Sequence, residues 1–325
     1  MLPRELIELI IKYRSKLLKQ VNDSTMRLIR AYASIDKRAK PYIKAVQLKI
    51  ASTENITPTM IKRTEEFSEL MGFLEYELPE YTSFVRIELD LVSIVSIELA
   101  IAQIQELSRK LQVPMQIIAP DAIDFLVSYL APEGELMKRI AMWAPNVYEK
   151  VSNAIIEGVA NGRNPAVIAR EIAKQFGIGL TDSIRTMRTV QLYSYREATR
   201  ANYIVNSDVV IGWTWYAQLD SETCDACIAL HGTFHTLEES LDDHYNGRCA
   251  MIPVTKTLGR IQYTDGVSWF NEQPEDYQEK ILGIGKYEAW KAGKFELSQV
   301  AGHHDDPVYG DMRVVESLKN LVSID

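Results

Sequence analysis

All three cysteines of the 325-residue chain, Cys224, Cys227 and Cys249, fall in the single stretch TCDACIALHGTFHTLEESLDDHYNGRC, together with three of its five histidines. Cys224 and Cys227 stand as C-x-x-C, the spacing at which one tight turn points two thiolates at one ion. His244 follows Cys227 by 17 residues and Cys249 follows His244 by five. Two ligands from one knuckle and two from a distant segment are how a structural tetrahedral zinc site is built, and thiolate with imidazole suits zinc better than magnesium or calcium. Such a site forces two remote segments together, so it constrains the fold more than any other feature of the chain. The glycine beside Cys249, Gly247, lets the backbone bend sharply for a second knuckle.

Alternatives stand beside this set. His231 lies four residues beyond Cys227 and could replace either Cys249 or His244, whereas His235 reads as a surface or strand-edge residue. A Cys224–Cys227 redox pair would need a βαβ setting that a single strand followed by a turn does not supply. A catalytic zinc would need an open coordination position and a nearby acid or base. Asp220, Glu222, Asp225, Asp242 and Asp243 are at hand, but four good ligands describe a closed site. Asp243–His244 with Asn246 is faintly like a metal-dependent nuclease, yet the chain after Cys249 (AMIPVTKTLG) offers no helix for a further ligand. No phosphate-binding loop is present, because GIGK at 283–286 lacks the required spacing. His303–His304–Asp305–Asp306, just before Pro307, reads as an exposed loop.

The rest of the chain reads as mainly α with a small α+β module. Leu6, Ile10, Tyr13, Leu17 and Val21 recur at three and four and place one helical stripe near the amino end. Thr57–Pro58 is an N-cap followed by a first-turn proline. Pro114, Pro120 and Pro132 allow only short helices around 111–134, and a boundary is expected there, between a helical region 1–135 and a second domain 146–325. In the second, Val147, Val151, Ala154, Ile155 and Val159 form a stripe closed by Asn161–Gly162. Asn164–Pro165 starts another helix, with Ile168, Ile172 and Phe176 on its stripe and Gly177 at its end. A third helix is expected from Asp182 to Val205. Then Val209, Ile211, Trp213 and Trp215 alternate as in a strand, a loop-rich stretch follows Pro253, and EDYQEKILG and KYEAWKAG are short helices closed by glycines.

Charge adds a second asymmetry. Net charge is −8, which argues against a chain whose main task is wrapping nucleic acid. Residues 1–50 nevertheless carry twelve Lys/Arg against four acidic residues, and residues 51–100 carry three against ten. This is either a surface for DNA or an acidic partner, or two helical faces of opposite sign that pair. No uninterrupted apolar run approaches the ~20 residues that span a bilayer, and the amino terminus does not read as a signal peptide, so no membrane role and a cytosolic site of synthesis are expected.

WTWYAQLDSETCDACIALHGTFH and HYNGRCAMIPV together resemble the phage head morphogenesis, or minor head protein, family typified by the F protein of phage Mu. The matching positions are Trp213, Asp220, Thr223, Cys224, Cys227, Leu230, His231, Gly232, His244, Asn246, Gly247, Arg248, Cys249 and Pro253, a motif spanning 220–253. Tyr245 replaces the usual proline, and Gly247 stands where many relatives carry another cysteine, which leaves Cys224, Cys227, His244 and Cys249 as the natural ligand set. IIEGVANGRNPAVIAREIAKQFG upstream and the stretch to about 310 also look like the family, although Arg188–Thr189–Val190–Gln191 replaces its Arg-Thr-Glu. The resemblance implies a zinc-stapled domain and a low-copy, non-enzymatic component of the virion head. It would be assembled in the host cytoplasm beside the portal, the major capsid protein or the procapsid interior, and be concerned with head assembly or packaged DNA. Trp213, Trp215 and residues 1–50, the last toward DNA, are the candidate contact surfaces. The alternative from another class is a zinc-dependent nuclease or hydrolase, or a toxin delivered with the particle.

Overall fold

The computed structural model describes residues 3–119, 134–307 and 310–322. The protein is mainly helical, with a small three-stranded sheet and a separate hairpin. Its helices α1 (Pro3–Ser52), α2 (Pro58–Lys62), α3 (Glu65–Leu111), α4 (Glu135–Ala141), α5 (Trp143–Ala160) and α6 (Pro165–Val205) precede every strand. The described residues form two compact units, and neither is a continuous segment. One comprises residues 20–92 and 134–188, the other 3–19, 93–119, 189–307 and 310–322. The contacts therefore divide the chain differently from the linear boundary expected between 135 and 146, because α1, α3 and α6 each contribute one part to each unit. Pro120 and Pro132 lie outside the described residues.

Among the described residues, the unit of residues 20–92 and 134–188 consists of helices joined by turns, with no strand. Thr57 caps α2 as expected, its side chain accepting the Met60 N–H with Pro58 in the first turn. Val147, Val151, Ile155 and Val159 of α5 are buried, as are Ile168, Ile172 and Phe176 of α6. The turn between the two follows the expected signals: Asn161 caps α5, Gly162 takes φ 58°, and the Asn164 side chain accepts the Ala166 N–H. A β-carbon on Gly158 would lie 2.6 Å from Ile168 Cγ1, so the glycine sets how closely α5 and α6 approach.

Gly177 does not end the helix. The stripe expected to stop there and the helix expected from Asp182 are one element, α6, of 41 residues. Phe176 and Ser183, on either side of the glycines, are both buried, and Tyr32 and Tyr81 bond to them through the Phe176 carbonyl (2.5 Å) and the Ser183 hydroxyl (2.8 Å). Those contacts outweigh the roughly 1 kcal/mol that a mid-helix glycine costs. The opposite charges of the first hundred residues pair: Arg27 with Glu88 (2.7 Å), Arg38 with Glu77 (2.6 Å) and Lys49 with Glu66 (3.4 Å).

In the other unit, Lys12 joins Glu106 (2.7 Å), and the Tyr13 hydroxyl donates to the Ala102 carbonyl (2.9 Å). The sheet has the order β2 (Phe234–His235), β1 (Val210–Tyr216), β3 (Ala250–Thr255), all antiparallel. Two expectations change here. The register shifts between Val210 and Gly212, and this bulge turns Ile211 out to 46% exposure while Trp213 and Trp215 stay fully buried. Both tryptophans are core residues rather than a contact surface. The loop-rich stretch expected to follow Pro253 starts later, because Pro253 is paired with Trp213 inside β3, which runs to Thr255, and an edge strand tolerates a residue with no N–H to donate.

Between the sheet strands lies α7 (Asp225–Leu230). After them come α8 (Gly266–Asn271), α9 (Glu275–Leu282), α10 (Ile284–Lys291), a 3-10 turn (Leu297–Val300), a hairpin of β4 (Ala301–Asp306) with β5 (Gly310–Val315), and α11 (Leu318–Val322). Helices α9 and α10 end at Gly283 (φ 74°) and near Gly293 (φ 70°), as their glycines indicated. Phe270, Leu282, Tyr287, Leu297 and Val300 gather around Ile228 of α7, and Lys286 pairs with Asp225 at 3.0 Å. The run His303–His304–Asp305–Asp306 is strand β4 rather than a loop, because every residue from Ala301 to Asp306 has a partner in β5.

Candidate metal centre

The first knuckle is built by Asp220. Its Oδ1 accepts the Glu222 N–H (3.1 Å) and the Thr223 hydroxyl (2.9 Å), and its own N–H donates to Thr223 Oγ1 (3.1 Å). That turn delivers Cys224 to the N-cap of α7, where its sulfur accepts the Cys227 N–H at 3.4 Å. The two thiols thus sit on one helical turn. All three cysteines are free thiols.

The second knuckle, residues 243–249, is wound around the Asp243 carboxylate, whose side chain is fully buried. Oδ1 accepts the His244 N–H (2.9 Å) and the Cys227 thiol (3.3 Å). Oδ2 accepts the Cys249 N–H (3.1 Å) and Arg196 Nη2 (2.9 Å). The same Arg196 nitrogen also reaches the Gly247 and Cys249 carbonyls, at 2.9 and 3.0 Å. Burial alone would raise the Asp243 pKa, but Arg196, His244 and the Cys249 N–H outweigh it and hold the group below its ordinary value. Asn246 takes φ 59° in the turn, which Gly247 closes by donating to the His244 carbonyl (2.9 Å). A β-carbon on Gly247 would lie 2.1 Å from Asp243 Oδ2, so only glycine fits against the carboxylate.

Arg248 joins the knuckles by a two-pronged pair with Asp220 (2.9 and 2.6 Å), which holds that carboxyl at about 2. From the first helix, Arg14 is buried and donates to the Arg248 carbonyl (2.5 Å) and the Gln218 side chain.

These contacts bring the four expected ligands to one cavity of about 200 Å³, lined by Cys224, Cys227, His244 and Cys249 with Asn246. The ligand atoms of Cys224, Cys227 and His244 lie within 4.8 Å of one another, as do those of Cys227, Asp243 and Cys249. His244 Nδ1 faces the Tyr245 carbonyl at 2.8 Å, so it carries the proton and leaves Nε2 turned to Cys224 Sγ at 3.3 Å. Burial lowers the His244 pKa, but Cys224 and Asp243 more than reverse this and raise it to about 10. The bond with Cys227 and the facing imidazole hold Cys224 well below an ordinary thiol. Asn246 Oδ1 is buried with no hydrogen-bond partner among the described residues. The two groups share only Cys227, and three sulfurs with one imidazole nitrogen are donors that could hold a thiolate-binding metal ion.

His231 takes no part in either ligand group. Its Nδ1 accepts the Ala217 N–H (2.9 Å), its ring lies against Tyr216 and Tyr263, and burial pushes its pKa down to about 4. Gly232 takes φ 91° and donates to the Trp215 carbonyl (2.9 Å). His235 is at a strand edge but buried, stacked on Trp213 at 4.3 Å. A second group, Asp242, His303 and Asp311, also brings its ligand atoms within 4.8 Å, but Arg313 already lies 3.1 Å from Asp242, and His303 pairs with Asp311 at 2.8 Å.

Sequence reasoning gave Asp243 as one of several available carboxylates and as part of a faint nuclease likeness, counted Arg14 only among the basic residues of 1–50, and passed over Arg196. The signal available for Asp243 was its position immediately before His244. Arg196 and Arg14 carry none, because both act through contacts distant in sequence.

Among the described residues no helix is long and apolar enough to cross a membrane. No curated protein and no solved structure matches the chain. Residues 149–252 hold most of α5, all of α6, β1, both knuckles and β3 as far as Ile252, about a third of the chain and less than the 146–310 expected. These residues match the family model of Phage Mu protein F like protein, and the match supports the phage head morphogenesis family for this chain.

Proposed function

We propose that the protein is a minor head protein of a tailed phage, a low-copy structural component that works in head assembly beside the portal or inside the procapsid. The observation that carries this reading is that the family match covers the whole Cys/His motif up to Ile252. In the same reading Cys224, Cys227, His244 and Cys249 hold a structural zinc ion. Four such ligands fill a tetrahedral ion and leave no position for water, so the ion contributes folding energy and no catalytic step is assigned.

Contact with packaged DNA through residues 1–50 is the weaker part of the proposal, because Lys12, Arg27, Arg38 and Lys49 are engaged by carboxylates of α3 and Arg14 is buried. Quantitative mass spectrometry of purified procapsids and mature particles tests the proposal. A few to a few dozen copies per particle are expected, and absence from both refutes it.

A further inference from the structure

We propose that Asp243 is the positioning carboxylate of the metal centre and not one of its ligands, with Arg196 as the fixed countercharge that holds it in place. This rests on the zinc reading of the four-residue set. The four acceptor positions of the carboxylate are already taken: His244 N–H and the Cys227 thiol on Oδ1, Cys249 N–H and Arg196 on Oδ2. Two of these donors are the backbone N–H groups of the very residues that supply the second pair of ligands, so one carboxylate sets where both His244 and Cys249 stand. A metal that takes the Cys227 thiolate displaces only the thiol bond; the other three donors keep Asp243 engaged.

Arg196 extends the same control, since one nitrogen holds Asp243, the Gly247 carbonyl and the Cys249 carbonyl. The close fit of Gly247 against Oδ2 shows that nothing larger can enter between carboxylate and knuckle. Protein hydrogen bonds therefore contribute to the shape of the second knuckle alongside any ion, whereas a zinc finger takes its shape from the metal. Groups that orient ligands in this way typically account for about 10–100-fold in metal affinity.

The test uses the full chain, reduced and stripped of metal, titrated with Co²⁺ as a spectroscopic probe and then with Zn²⁺ in competition. Wild type is expected to take one equivalent with the intense visible bands of tetrahedral cobalt and sulfur-to-metal charge transfer. Asp243→Asn is expected to keep the stoichiometry and the band shape and to lose about 10–100-fold in affinity. Gly247→Ala, which displaces the carboxylate while leaving every ligand and charge in place, is expected to act in the same direction, and it serves if Asp243→Asn does not fold. Thermal unfolding of each metal-free variant is recorded alongside. A lowered Tm with unchanged affinity reduces Asp243 to a structural residue and overturns the proposal. A changed band shape in Asp243→Asn, with an oxygen ligand lost, overturns it in favour of direct ligation. Wild type that takes no cobalt and no zinc refutes the zinc reading itself, a result distinct from either of these.

Discussion

Replacing His231 with asparagine should remove a pH-dependent part of the protein's stability. The imidazole is 4% exposed, lies between Tyr216 and Tyr263, and accepts the Ala217 N–H, so burial brings its pKa to about 4 from 6.5. A histidine whose folded pKa is depressed is neutral in the fold while the unfolded chain takes up a proton. Its contribution is therefore complete above pH 6.5 and is lost as the pH falls from 6.5 toward 4. At about 1.4 kcal/mol per pH unit, the loss reaches about 2 kcal/mol by pH 5. Asparagine keeps an acceptor for Ala217 and does not titrate. Urea unfolding of both proteins in chelator and reductant, at steps from pH 7.5 to 5, measures the difference directly and cancels the titration of every other group. The advantage of wild type should shrink by about 2 kcal/mol across that range. A difference that stays constant to within about 0.5 kcal/mol, or grows on acidification, would refute the assignment of a buried, neutral His231.

Three other substitutions test the packing around the site. Arg196→Ala strands the buried Asp243 carboxylate and should cost about 3–5 kcal/mol in chemical denaturation. Trp213→Ala should cost about 3–5 kcal/mol, as a core residue does; a loss of partner binding with stability intact would restore the contact-surface reading. Arg14→Ala should destabilise the protein by about 1–3 kcal/mol, by removing the donor from the Arg248 carbonyl and the Gln218 side chain. An effect confined to DNA affinity would instead return Arg14 to the basic surface.

What was legible in the sequence is what short-range physics controls. The stripes of α5 and the start of α6, the caps at Thr57 and Asn164, the glycine ends of α9 and α10, and the two tryptophans of β1 all depend on residues within a few positions of one another. The four candidate ligands stood out because sulfur and imidazole are rare enough for spacing to carry meaning. The uninterrupted run of α6 through Gly177 was not, since the contacts that hold it come from Tyr32 and Tyr81. Nor was the machinery around the ligands: Arg196 meets Asp243 across 47 positions and Arg14 meets Arg248 across 234, and neither leaves a period or motif. The bulge at Ile211 belongs to the same class, because it is a shift in the pairing of β1 with β3, whose residues lie much further along the chain.

The compact unit that contains the candidate metal centre is assembled from the described residues among 1–19, 93–128 and 189–325. Leu6, Ile10, Tyr13 and Leu17 are buried in the finished protein, yet they leave the ribosome long before residue 189 exists. At roughly 5–20 residues per second, that delay is on the order of tens of seconds. During it the amino-terminal apolar stripe has only part of its final surroundings, those around Ala102 and Glu106, and Arg14 has no Arg248 carbonyl to reach. Completion of the second knuckle thus waits for Arg248 and Cys249 to be made. A product that stopped before residue 189 would leave part of that unit's apolar surface uncovered and open to chaperones and proteases.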